Sequence, residues 1–216
     1  MNTKEFIVEN KVIVICRKVY GDSLLRLAEA LYDGGVKMIE VTFDQADPDC
    51  TEKTTGAMRM LQERFRGAMR FGAGTVLTTE QVDAACEAGG EYMISPNTNL
   101  QVIARTKELG LVSIPGAMTP TEILTAHDAG ADFVKLFPAS YLGMSYVKDI
   151  TAPISHVKLL ATGGVNETNF GGYLDAGFVG AGVSSRLADR KLIAAGNFEE
   201  ITARARDFAA ICAGQR

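Results

Sequence analysis

Short apolar segments rich in β-branched residues alternate eight times with longer segments of helical periodicity along this 216-residue chain. In the first helical segment, Leu24, Leu27 and Leu31 form an apolar stripe, and Gly34 follows it before the next strand. Such an alternation predicts a parallel sheet, because each crossover helix returns the chain to the same end of the sheet. The predicted strands cover residues 12–16, 38–43, 70–76, 92–96, 111–114, 133–137, 158–162 and 178–184.

Eight β/α units favour an α/β fold in which the sheet closes into a (β/α)8 TIM barrel. An open, doubly wound sheet is the alternative. The glycines at 72–74 do not decide between them, since the third glycine and the acidic partner of a dinucleotide-binding motif are missing. We predict an extra N-terminal helix under the barrel over residues 2–10. The last outer helix is predicted over residues 198–212. No linker divides the chain, so we expect one barrel domain over residues 1–216.

The composition argues against several classes of partner. The net charge is −4 and the charged residues are dispersed without a basic stripe, so we expect no nucleic-acid binding. A signal peptide and a membrane-spanning apolar stretch are both missing, which predicts a soluble, cytoplasmic protein that does not bind a membrane. The four cysteines lie far apart and only two histidines are present, so neither a disulfide framework nor a metal site is expected.

Lys135 lies inside an otherwise apolar predicted strand, residues 133–137. A strand of this composition is usually buried on both faces, which would remove the ammonium group from water. Desolvation disfavours the charged form, lowers the lysine pKa and leaves part of the side chain as a neutral amine that can attack a carbonyl. The alternative is a structural lysine whose amine reaches solvent or pairs with a carboxylate.

Strand alternation predicts that Glu40 shares the barrel interior with Lys135. Ile39 and Val41 suit the helix-facing side of the second strand, and this turns Glu40 inward. A carboxylate beside a reactive lysine could move protons while the lysine forms a Schiff base. A buried salt bridge between the two side chains is the structural alternative.

Two glycine-containing segments end the seventh and eighth predicted strands, at residues 161–165 and 180–185. Barrels commonly bind phosphate at this position through backbone amides. The alternative is that the glycines only permit tight turns between strand and helix.

Six motifs stand in a characteristic order along nearly the whole chain. In this order and spacing they resemble the class I aldolases for 2-keto-3-deoxy-6-phosphogluconate and 4-hydroxy-2-oxoglutarate, including the 6-phosphogalactonate branch. The motifs are Ile39-Glu40-Val41-Thr42, Gly72-Ala73-Gly74-Thr75-Val76, Ser95-Pro96-Asn97, Pro115-Gly116, Val134-Lys135-Leu136-Phe137-Pro138-Ala139 and Thr162-Gly163-Gly164.

The resemblance implies a metal-free retro-aldol cleavage that releases pyruvate and either glyceraldehyde 3-phosphate or glyoxylate. It implies that Lys135 is the Schiff-base lysine, that Glu40 is the acid/base, and that the enzyme needs no cofactor and forms a homotrimer. The further site residues it implies are Arg17, Thr75, Pro96 and Thr162 for the substrate, and Gly163, Gly164, Ser184 and Ser185 for phosphate.

The sequence departs from the family pattern at Asp44, where well-studied members carry an arginine for the pyruvate carboxylate. Carboxylate binding would then rely on Thr75, nearby backbone amides and Arg17. Ser184 likewise stands where a glycine is usual. Two other functions stay open on the sequence: a phosphate-binding isomerase or epimerase with Glu40 as base, and a non-catalytic protein that binds keto acids.

Overall fold

The computed structural model describes residues 1–141 and 143–215 of the chain. The domain predicted over residues 1–216 includes Leu142 and Arg216, which lie outside the described residues. The strands found in the described part are β1 Val12–Cys16, β2 Met38–Thr42, β3 Arg70–Gly74, β4 Tyr92–Ile94, β5 Val112–Ile114, β6 Gly116–Ala117, β7 Val134–Leu136, β8 Leu159–Thr162 and β9 Gly180–Val183. The helices are α1 Thr3–Asn10, α2 Gly21–Asp33, α3 Cys50–Phe65, α4 Thr79–Glu87, α5 Leu100–Glu108, α6 Pro120–Asp128, α7 Gly143–Thr151, α8 Phe170–Asp175, α9 Arg190–Ala194 and α10 Phe198–Cys212.

All nine strands of the described residues belong to one parallel sheet, in the order β5-β4-β3-β2-β1-β9-β8-β7-β6. The two ends of this sheet, β5 and β6, are separated along the chain by Pro115 alone, so the chain itself joins them and closes the barrel. Proline has no N–H to donate to a ladder, but the Pro115 carbonyl accepts a hydrogen bond from the Lys135 amide at 2.9 Å. The predicted barrel is confirmed, the open sheet is wrong, and the fifth strand continues past its predicted end.

Side chains alternate between the barrel interior and the surrounding helices, as predicted. Ile39 and Val41 pack in the outer core between strands and helices, whereas Phe133 lies in the interior. The inner cluster consists of Phe6, Ile7, Ile13, Met38, Tyr92, Ile94, Val112, Ile114, Phe133 and Leu160. Apolar residues therefore fill the lower interior, and the polar Glu40 and Lys135 lie nearer the carboxyl ends of their strands.

The predicted N-terminal helix is α1, which covers the amino-terminal end of the barrel. Asn2 and Glu5 form a reciprocal capping box at its start. Lys4 forms an ion pair of 3.1 Å with Asp132, and α1 contributes Phe6 to the inner cluster. These contacts close the end of the barrel that lies opposite the glycine-containing loops.

The predicted last outer helix is α10, which packs against α2. Gly34 permits this contact, because a Cβ atom at that position would lie 2.4 Å from the Ala205 Cβ. The described helices include none that is long and apolar enough to cross a lipid bilayer.

Candidate active site

A cavity of about 260 Å3 opens at the carboxyl ends of the strands, and all ten predicted site residues line it. Parallel strands bring these sequence-distant residues together because their carboxyl ends meet on one face of the barrel. A larger groove, of about 600 Å3, lies between α2 and α3 and is lined by none of the ten. The ten residues are Arg17 after β1, Glu40 in β2, Thr75 after β3, Pro96 after β4, Lys135 in β7, Thr162 at the end of β8, Gly163 and Gly164 after β8, and Ser184 and Ser185 after β9.

Glu40 is 2% exposed, and its side chain fits because Gly74 on the adjacent strand has no Cβ. A Cβ at position 74 would lie 1.5 Å from Glu40 Oε1. Among the described residues no hydrogen-bond partner reaches Glu40 Oε2. Burial raises the pKa of Glu40, while the positive charges of Lys135 and Arg17 partly oppose this effect. Burial therefore makes the Glu40 carboxyl hold a proton more readily than an exposed glutamate does, and one of its oxygens has no hydrogen-bond partner among the described residues.

Lys135 is 7% exposed, and its Nζ atom lies 4.6 Å from the centroid of the Phe137 ring. Burial lowers the pKa of Lys135; the Glu40 carboxylate opposes this shift, and the Arg17 charge adds to it. The ion pairs of the described residues include none between Lys135 and Glu40. The two groups therefore share a cavity without the direct salt bridge that the structural alternative requires.

Arg17 brings a positive charge to the cavity beside Thr75. Its Nη2 atom lies 3.4 Å from Thr75 Oγ1. Asp44 does not line the cavity and instead pairs with Lys18 at 2.8 Å. The hydrogen bond from Lys18 holds the pKa of Asp44 below its usual value. Asp44 therefore does not neutralise Arg17.

The loops after β8 and β9 form the glycine-rich side of the cavity. Gly163 and Gly164 both have positive φ, at 93° and 75°, and a Cβ at Gly164 would lie 2.1 Å from Ser140 Oγ. Arg186 donates to both carboxylate oxygens of Glu167, with shortest distances of 2.8 and 2.9 Å, and so links the two loops. Glycines and serines therefore line this side of the cavity, and backbone amides and serine hydroxyls are groups that can bind phosphate oxygens.

The family model described as KDPG and KHG aldolase matches residues 3–204 of the chain. The chain belongs to this aldolase family. The resemblance identified from the sequence is confirmed, and with it the classification as a carbon–carbon lyase, the class to which aldolases belong.

Individual relatives of this aldolase cover most of its length. A probable 2-dehydro-3-deoxy-6-phosphogalactonate aldolase from Rhizobium meliloti (strain 1021) is 37% identical over 181 residues, which are 83% of this chain and 82% of the relative. A native KDPGal structure superposes with a TM-score of 0.82 at 31% identity and covers 94% of this chain and 95% of that one. A KDPG aldolase from Legionella pneumophila, with pyruvate captured as a covalent carbinolamine, has a TM-score of 0.84 at 27% identity and covers 95% and 97%.

The cavity of this family member also contains apolar residues that the sequence analysis did not assign to the site. Ile15 and Phe137 line it, and so does Gly182, where a Cβ would lie 2.7 Å from Thr162 Oγ1. Strand alternation could have identified Ile15 and Phe137, because Ile15 lies two residues after the inward-facing Ile13 and Phe137 lies two residues after Lys135. Gly182 lies in the glycine-containing segment 180–185 that the sequence singled out, but its closeness to Thr162 depends on the pairing of β8 with β9.

Proposed function

We propose that this chain is a class I aldolase that cleaves 2-keto-3-deoxy-6-phosphogluconate, or its galactonate epimer, into pyruvate and glyceraldehyde 3-phosphate. The observation that carries this proposal is the buried Lys135 amine, whose pKa is lowered, in one cavity with the buried Glu40 carboxyl. Family membership supports it, and so does the Legionella relative that holds pyruvate as a covalent carbinolamine.

In the proposed reaction, the neutral Nζ of Lys135 attacks the C2 carbonyl of the keto acid. Loss of water from the carbinolamine gives a protonated imine that draws the electron pair of the C3–C4 bond as this bond breaks. Glu40 accepts the proton of the C4 hydroxyl, which becomes the aldehyde, and returns a proton to C3 of the enamine. Water then releases pyruvate and restores the Lys135 amine. Neither a metal ion nor a cofactor takes part in these steps.

We further propose that the charge distribution of the cavity orients the substrate. Arg17 and Thr75 would bind the C1 carboxylate, because a guanidinium and a hydroxyl are both donors to carboxylate oxygens. Pro96 and Thr162 would border the reacting carbons. Phosphate would lie against the loops after β8 and β9, where Gly163, Gly164, Ser184 and Ser185 line the cavity.

A shorter keto acid is the second candidate substrate. The description of the matching family includes KHG aldolase, and 4-hydroxy-2-oxoglutarate contains the same C1 to C4 unit that Lys135 and Glu40 would act on. Its cleavage would give pyruvate and glyoxylate. An isomerase or epimerase would use Glu40 without a covalent lysine adduct, and a non-catalytic relative would bind keto acids without turnover.

We also propose that residues 1–216 form one catalytic domain that acts in the cytoplasm as a homotrimer. The trimer is implied by the family resemblance. Light scattering coupled to size-exclusion chromatography should then give three times the mass of one chain, and a monomer at working concentration would contradict the assembly.

Borohydride trapping tests the proposed chemistry directly. Pyruvate and borohydride should attach one reduced pyruvate to Lys135 in the wild type, as located by peptide mass spectrometry, and none to Lys135→Met, which keeps the volume of the side chain. Pyruvate release from the gluconate, the galactonate and 4-hydroxy-2-oxoglutarate, measured with excess chelator, ranks the substrates. Conversion of the sugar acid phosphate without pyruvate release and without an adduct favours the isomerase or epimerase, and binding without any conversion favours the non-catalytic relative.

A further inference from the structure

Thr75 has a backbone conformation that threonine rarely adopts. Its φ is +56°, in the left-handed region, where a β-branched residue is an outlier. The residues on either side are fixed by the sheet, since the Gly74 carbonyl accepts from the Phe43 amide at 2.9 Å and the Val76 amide donates to the Ile94 carbonyl at 3.1 Å. The strain is therefore confined to one residue, whose side chain reaches the cavity beside Arg17.

Two glutamine side chains connect the Thr75 carbonyl to helix α4. Gln45 Nε2 donates to the Thr75 carbonyl at 2.9 Å, Gln81 Nε2 donates to Gln45 Oε1 at 3.1 Å, and the Leu77 amide donates to Gln81 Oε1 at 2.7 Å. Because a backbone amide can only donate and a carbonyl can only accept, the ends of this chain fix the orientation of both carboxamides. Gln81 is buried at 8% exposure.

Neither glutamine lines the cavity, so both act through Thr75. We propose that Gln45 and Gln81 are positioning residues that hold Thr75 in its left-handed conformation, so that its hydroxyl stays beside Arg17 to receive the keto-acid carboxylate. The inference rests on the proposed function. Positioning matters here because Asp44, at the position of the usual arginine, is bound to Lys18 outside the cavity. Thr75 and Arg17 are the two side chains assigned to the carboxylate in the proposed function.

The decisive variant is Gln45→Glu, which keeps the shape of the side chain but turns a carboxylate oxygen toward the Thr75 carbonyl. Two acceptors then face each other, and the bond that stabilises the strained residue is lost. The pyruvate concentration that gives half-maximal borohydride trapping should rise about tenfold at neutral pH. Trapping of acetone, a ketone without a carboxylate, should stay unchanged, because only the carboxylate uses Thr75.

The introduced carboxyl group also gives the variant a pH dependence. A protonated acid can donate to the Thr75 carbonyl, and carboxyl groups take up protons below about pH 5. The pyruvate half-saturation of Gln45→Glu, divided by that of the wild type, should therefore fall toward one as the pH is lowered from neutral to about 4. The charged groups of the adjoining segments include Arg17, Lys18, Asp44, Asp47 and Glu80. The hydrogen bond from Lys18 lowers the pKa of Asp44, that from Lys53 lowers the pKa of Asp47, and backbone and threonine donors lower the pKa of Glu80, so these carboxylates keep their charge to a lower pH than an ordinary carboxyl group.

Gln62→Glu is the matched control, since Gln62 also donates its side-chain amide to a backbone carbonyl, that of Gly89, at a place outside the cavity. It should leave pyruvate half-saturation unchanged. Gln81→Glu keeps the acceptor for the Leu77 amide and loses the donor to Gln45, so it should weaken pyruvate trapping in the same direction and serves if Gln45→Glu does not fold.

The outcomes separate this inference from the function on which it rests. Wild-type protein that gives no pyruvate adduct overturns the proposed function, and this inference with it. An adduct on the wild type with equal half-saturation in Gln45→Glu and Gln81→Glu overturns the positioning role alone. An equal loss of pyruvate and acetone trapping in the variants also overturns it, because the glutamines would then support the fold in general.

Discussion

Glu40 and Gly74 depend on each other for the geometry of the cavity. The carboxylate occupies the space that any side chain at position 74 would need. Strand alternation predicts the inward direction of Glu40 from the sequence. In the register of β2 and β3, Glu40 pairs with Gly72, and its side chain extends over Gly74, two residues further along β3. The chemistry of one residue is therefore limited by the missing side chain of another.

Gly74→Ala should displace the Glu40 carboxyl while leaving Lys135 in place. We expect kcat to fall by about 10² to 10⁴, the usual contribution of a general acid/base. Pyruvate trapping on Lys135 should survive, because it needs the amine and the carbonyl. Steady-state kinetics and trapping on the same preparation check this, and unchanged kcat would show that Glu40 is not the proton-transfer group.

At the scale of elements, α1 is held to the barrel by charges as well as by apolar packing. Asp132 receives hydrogen bonds from Lys107 and the Ser113 amide and pairs with Lys4 of α1. Burial alone would raise the pKa of Asp132, but these donors outweigh it and the pKa is lowered. The sequence predicted the helix from residues 2–10, whereas its anchor at Asp132 lies more than a hundred residues away and has no local signature.

Asp132→Asn should destabilise the fold by about 2 kcal/mol at neutral pH, since it removes hydrogen bonds to a charged acceptor. The pKa of Asp132 is lower in the folded state than the value of about 3.9 expected in the unfolded state, so the Asp132 carboxylate stabilises the fold at any pH above the unfolded pKa. This stabilisation is lost as the pH falls through the folded-state pKa. The difference in Tm between the variant and the wild type should therefore be largest near pH 7 and should disappear at a pH below the folded-state pKa of Asp132. Asp207→Asn, which changes an exposed residue of α10, is the control. An equal loss of Tm in this control would show that the effect does not come from the contacts of Asp132.

At the scale of the whole molecule, the two ends of the chain complete one closed structure. β1 pairs with β9, and α10 packs on α2 through the close contact of Gly34 with Ala205. Thr202 Oγ1 also donates to the Ala30 carbonyl at 3.1 Å. The β1–β9 pairing and the α2–α10 contact thus each join the beginning of the sequence to its end.

Gly34→Ala should lower the free energy of unfolding by about 1–3 kcal/mol, because the added methyl group would overlap Ala205 and the packed helices must separate. Gly56→Ala is the matched control: Gly56 lies inside α3 with nothing within 4 Å of an added Cβ. There the change should stabilise the protein by roughly 0.5–1 kcal/mol through a better helix propensity. Chemical denaturation measures both, and a Gly34→Ala protein as stable as Gly56→Ala would contradict the closure argument.

The sequence by itself determined the features that repeat with a local period. Alternation along β2 and β7 turned Glu40 and Lys135 inward, and the eight β/α units determined that the strands are parallel. Tertiary structure alone decided the continuation of the fifth strand through Pro115, the pairing of Asp44 with Lys18 and the left-handed conformation of Thr75. These features arise where loops from different β/α units meet, because their hydrogen bonds and ion pairs depend on closure of the barrel and leave no period in the chain.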